Sequence, residues 1–224
     1  WDVRKAAATA LEKMGAEAAE HAGAVAALLA ESSPNVRQAA VEALGSMGPV
    51  VADYAGCVAA LLADASWKVR MATAEALGNM GLAAVEHAGA VAALLASEER
   101  DVSKKIAAEA LGKMGPTASE HAGAVAELLV EVSPEEEFEA EYWSDRYRAT
   151  HLHWLCGVRR VGQRLEARED CPKFILREAA AVALGKMGSA AAEHAGAVAA
   201  RLVDENSMVR TAAAEAVGKM GSAA

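Results

Sequence analysis

The chain has 224 residues and a formal net charge of −9, and 58 of its residues are Ala while only nine are aromatic. Ala is the strongest helix former and the aromatic residues of sheets are scarce, so a β-sandwich, a barrel or a parallel-sheet enzyme is excluded and an all-α chain is expected. The acidic balance argues against a nucleic-acid binder, which needs a basic face for the phosphate backbone.

No uninterrupted apolar run approaches the roughly 20 residues that cross a bilayer, so no transmembrane segment is expected. The start at Trp1 has no charged-then-apolar leader of the secretory kind. Cys57, Cys156 and Cys171 are too few and too scattered for a disulfide framework. The expectation is a soluble protein of a reducing compartment, cytoplasm or organelle stroma.

In chain order, residues 1–15 match only the second helix of a repeating unit. Residues 17–30 then predict a first helix with Val25, Leu28 and Leu29 at helical spacing, and 35–47 a second with Val36, Ala40, Leu44 and Met47 on one face. Ser33-Pro34 reads as an N-cap followed by Pro at the first helical position. Gly48 suits the left-handed residue that closes a helix. This unit recurs. The closing glycines are Gly15, Gly48, Gly81, Gly115, Gly188 and Gly221, with spacings of 33, 33, 34, 73 and 33. His21, Tyr54, His87, His121 and His194 open a second marker in the same register. One interval therefore holds a normal repeat plus about 40 further residues. Gly23, Gly56, Gly89, Gly123 and Gly196 form a column inside the first helices, where each costs about 1 kcal/mol relative to Ala, so close helix contact is expected there. The array reads as cut at both ends, since Ser222-Ala-Ala224 matches the start of another unit.

The organisation expected is thus repeats over 1–132, an insertion over 133–173 and repeats over 174–224. The insertion holds five of the nine aromatics and three of the 58 alanines. An acidic stretch, Glu135-Glu136-Glu137-Phe138-Glu139-Ala140-Glu141, precedes a basic one with Arg159, Arg160, Arg164 and Arg168. Phe138, Tyr142 and Tyr147, then Leu155, Val158, Val161 and Leu165, fall near helical spacing, and Trp154–Arg168 reads as a basic amphipathic helix. Because Trp, Tyr and Arg commonly dominate interfaces, Phe138, Tyr142, Trp143, Tyr147, Trp154, Arg159 and Arg160 are the expected partner-binding residues.

The repeats Asn35-Val-Arg-Gln-Ala-Ala-Val-Glu-Ala-Leu-Gly45, Lys68-Val-Arg-Met-Ala-Thr-Ala-Glu-Ala-Leu-Gly78 and Met208-Val-Arg-Thr-Ala-Ala-Ala-Glu-Ala-Val-Gly218 resemble the HEAT-repeat family, in particular the short HEAT-like units also found in phycobilisome lyases. That resemblance implies an α-solenoid, a right-handed superhelix of helical hairpins. It also implies a ladder of acidic turn residues with basic residues six positions later: Glu31 and Arg37, Asp64 and Arg70, Glu98 and Lys104, Asp204 and Arg210. The insertion separates Glu131 from Arg177, so the fifth unit departs from that spacing.

Two sets of residues carry possible chemistry. Glu20-His21, Glu86-His87, Glu120-His121 and Glu193-His194 hold acid–base and ligand residue types. The iron enzyme deoxyhypusine hydroxylase, also of HEAT type, uses His-Glu pairs in the second helix, where this chain has Arg37-Gln38, Arg70-Met71 and Arg177-Glu178, so the carry-over fails. Packed helices stand about 8–10 Å apart, too far for histidines of neighbouring units that must each reach about 2 Å from one zinc, so a packing role is expected. In the insertion, His151, His153, Cys156 and Cys171 are four residues of zinc-ligand type without a zinc-site spacing, and packing onto the array is the expectation. No catalytic residue, cofactor or small-molecule ligand is expected. The resemblance implies a non-enzymatic protein–protein interaction scaffold or a subunit of a larger assembly. Its rivals are a metal-dependent or bilin-lyase-like enzyme using the His/Cys set, and an accessory docking subunit of a photosynthetic or ciliary assembly.

Overall fold

A computed structural model of the chain describes residues 2–96, 101–129, 158–161, 164–167 and 173–221. The second helices of the units are long and regular: α1 (Asp2–Met14), α3 (Pro34–Met47), α5 (Trp67–Met80), α7 (Asp101–Met114), α9 (Lys173–Met187) and α11 (Ser207–Gly221). Between them lie the short helices α2 (Ala22–Ala26), α4 (Ala55–Ala59), α6 (Ala88–Ala96), α8 (Ala122–Glu127) and α10 (Ala195–Ala200). Each of these follows a seven-residue 3₁₀ segment that starts at the closing glycine, as in Gly15–His21 and Gly48–Tyr54.

The expected first helix over 17–30 is therefore a composite. A 3₁₀ segment runs to His21, α2 follows, and a second 3₁₀ segment spans Ala27–Ala30. Its buried side chains, Ala18, Ala22, Val25 and Leu29, still follow spacings of four and three, so one face is kept while the winding tightens.

The architecture is an all-α solenoid. The second helices pack in chain order, α1 on α3, α3 on α5, α5 on α7, α7 on α9 and α9 on α11, and the 3₁₀ segments stack beside them as a second row. The core lies between the two rows. Its largest fully buried side chains repeat once per unit, as Leu44 and Met47, Leu77 and Met80, Leu111 and Met114, and Leu184 and Met187. Removing one such Leu would cost about 2–5 kcal/mol. Pro34–Ala63 and Trp67–Ala96 are apolar and long enough on composition to span a bilayer. Each is interrupted at its closing glycine, however, and the α-helices within them reach 14 residues at most, short of the roughly 20 needed to cross.

Closure at the glycines is stricter than the left-handed cap expected from sequence. Gly48 has φ 70 and ψ −146, and Gly81 φ 60 and ψ −128. This is close to the mirror image of polyproline II, a region that L side chains do not occupy. Ser33 stands at the N-cap position with Pro34 first in the helix, but its side chain makes no capping bond.

The glycine column that sets helix spacing is not the one expected. A methyl added at Gly45, Gly78, Gly112 or Gly185 would stand 2.7–2.8 Å from the Cα of Ala76, Ala110, Ala183 or Ala216 of the next unit. These glycines let adjacent second helices touch along their backbones. The first-helix column meets side chains instead: the Tyr54 hydroxyl lies 3.2 Å from the Cβ position of Gly23, and the rings of His121 and His194 lie 3.8–3.9 Å from those of Gly89 and Gly123.

The insertion departs from the helical expectation. Val158–Val161 (β1) and Arg164–Ala167 (β2) form an antiparallel pair in which Val158 opposes Ala167 and Val161 opposes Arg164. Val158 and Val161 are β-branched, which suits a strand. The basic amphipathic helix expected over 154–168 is therefore absent at these positions.

Candidate interaction face and its charged rows

Two surfaces carry charge in an ordered way. The first is the turn edge, where the ladder is built. Arg37 Nε and Nη2 donate to Asp64 Oδ2 and Oδ1 at 2.7 and 2.9 Å, and its Nη1 donates to the Glu31 carbonyl at 2.7 Å. Asp64 Oδ1 also accepts the Ser66 N–H at 2.8 Å, while Arg70 Nη1 reaches the Asp64 carbonyl at 2.7 Å. The residue six positions on thus binds the turn carbonyl, and the carboxylate belongs to the Arg 27 positions earlier. The Arg37 hydrogen bond holds the Asp64 carboxyl below the ordinary carboxylate range against the opposing effect of burial, with the Ser66 N–H helping.

The ladder survives the insertion. Arg177 Nε and Nη2 bond Asp204 Oδ2 and Oδ1 at 2.8 and 3.2 Å, with both residues buried, and Arg210 Nη1 takes the Asp204 carbonyl at 2.8 Å. Arg177 thus makes the same forward link to the next unit that Arg37 makes. Asp101 pairs with Lys173 at 2.8 Å, fastening the last residue of the insertion to the preceding unit. Phe174 and Ile175 are buried beside it with Val209. Glu98 and Glu131 lie outside the described residues.

The second surface is the side of the second helices turned away from the first-helix row. Positions four apart line it: Gln38, Glu42 and Ser46 on α3, Met71, Glu75 and Asn79 on α5, Lys105, Glu109 and Lys113 on α7, Glu178, Val182 and Lys186 on α9. Gln38 Nε2 donates to Glu42 Oε1 at 2.7 Å, Lys105 Nζ pairs with Glu109 Oε1 at 2.7 Å, and Lys113 Nζ donates to Asn79 Oδ1 at 2.7 Å. Burial pushes the Glu178 carboxyl up, Lys105 pulls it down and Glu109 pushes it up again. At the C-terminal ends of these helices an open trough of about 670 Å³ runs over Gly45, Gly78 and Gly112, walled by Ser46, Asn79, Lys113 and Lys186.

The Glu-His pairs form no shared site. Each His Nε2 lies 3.4–3.5 Å from the Oε1 of its own preceding Glu, beyond good hydrogen-bond length. The rings of His121 and His194 pack over the first-helix glycines of the preceding units. Among the described residues no group of three His, Cys, Asp or Glu could hold a metal ion. Phe138, Tyr142, Trp143, Tyr147 and Trp154, and the His151, His153, Cys156 and Cys171 set, lie outside the described residues. Arg159 and Arg160 stand on β1 opposite Glu166 and Leu165. Cys57 is a free, exposed cysteine. Sequence reasoning missed this face, although the recurrence of Glu at one register position, Glu42, Glu75 and Glu109, was there to be read.

The model of HEAT repeats matches residues 1–56 and 22–112, half of the chain. The chain belongs to the HEAT-repeat family. No curated protein matches it. Among solved structures it is similar to an engineered protein at 18% identity and a TM-score of 0.63, covering 96% of this chain and 89% of that one. A second engineered protein matches at 18% identity and 0.61, covering 97% of this HEAT-repeat chain and 54% of the other. A designed armadillo repeat protein in complex with the peptide (KR)4 matches at 16% identity and 0.60, covering 96% and 91%. At these identities the likeness is one of fold.

Proposed function

We propose that this HEAT-repeat chain is a non-enzymatic protein–protein interaction scaffold, or a subunit of a larger complex, that engages partners through its second-helix face and through the aromatic and Arg residues of the insertion. The observation that carries the proposal is the unbroken face: α7 packs directly on α9, so the rows of side chains continue from α3 to α11 across a break of some 40 residues in the sequence. A stacked array supplies an extended rigid surface of this kind, and rigidity limits the ordering cost of binding. A fold neighbour is a designed protein holding a peptide, which agrees with this use of the architecture.

The experiment is affinity purification with the intact chain, a chain lacking 135–171 and a chain carrying Glu75→Lys with Glu109→Lys, followed by direct binding of the purified partner. Loss of the partner in the second or third protein, with helical content kept, is expected. Equal binding by all three would refute the proposed surfaces.

A further inference from the structure

We draw no further inference here: the strongest candidate, the apolar face of α1 at one end of the array, where Val3 and Met14 are exposed although Val36 and Met47 of the same register are buried, carries none because nothing in the structure shows what covers it.

Discussion

Gly78→Ala is the sharpest test of how the helices of this solenoid are spaced. An added methyl would stand 2.7 Å from the Ala110 Cα and 2.9 Å from its Cβ, so α5 and α7 must separate or shift to admit it. In an unconstrained helix interior Gly→Ala gains roughly 0.5–1 kcal/mol from propensity. Overpacking a close-packed contact costs about 1–3 kcal/mol. Gly56→Ala supplies the reference, because that position is helical and meets nothing within 4 Å. Gly56→Ala should therefore stabilise by about 0.5–1 kcal/mol, while Gly78→Ala should be destabilising by up to about 2 kcal/mol. Urea unfolding followed by circular dichroism reads both, with the slope checked because repeat arrays do not always unfold in one step. Adding Ala110→Gly to Gly78→Ala removes one of the two contacts and should restore part of the loss. If Gly78→Ala raises the midpoint as much as Gly56→Ala does, backbone contact at this column does not limit the helix spacing.

Arg177→Met and Asp204→Leu should each cost about 3–5 kcal/mol by stranding a buried charge, whereas the double replacement should cost less than either, read as a double-mutant cycle in urea. Gly81→Asn should destabilise as much as Gly81→Ala, about 1–3 kcal/mol by thermal or urea unfolding, because φ 60 with ψ −128 is outside the left-handed well that Asn tolerates. Asp64 is held below the usual carboxylate range, so its stabilisation is present above a pH of about 3.9 and is lost as pH falls through the folded value; Asp64→Asn should flatten that part of the stability curve. Glu178 is shifted the other way, so its ionisation in the folded state costs stability as pH rises; Glu178→Gln should raise the urea midpoint at pH 7 and leave it unchanged below about pH 4.

The period and the closing glycines were legible because the residue that ends a helix must answer a local backbone demand, and Gly48 and its counterparts answer it alike. The Gly45 column answers a tertiary demand in a chain with 58 alanines, where small residues are everywhere and the decisive Gly looks like one more. What distinguished it was its partner, Ala76 of the next unit, which no single unit contains. The ladder was half legible for the same reason. The six-residue spacing inside a unit marks the Arg that takes the turn carbonyl, while the carboxylate link runs to the following unit. At Arg177 the same forward link runs to Asp204 of the next unit. The pairing of β1 with β2 was hidden because Val158, Val161 and Leu165 fit a helical stripe as well as a strand.

The placement of the insertion bears on how a partner could use both surfaces. Lys173, at the C-terminal root of the insertion, is tied to Asp101, the first residue of α7, so that root lies at the turn edge beside the Arg–Asp ladder. The trough lies at the other end of the same helices, near Lys186. Thirteen residues of α9 separate Lys173 from Lys186, which is about 20 Å of helix. A partner that touches the root and the trough together must therefore cross the full width of the array, passing over Glu178 and Val182 on α9. Substitution at Glu178 is then a discriminating probe: a partner that uses both surfaces should feel Glu178→Lys, while one that binds the insertion alone should not. Direct titration of the purified partner against that variant, beside the 135–171 deletion, distinguishes one continuous interface from two separate ones.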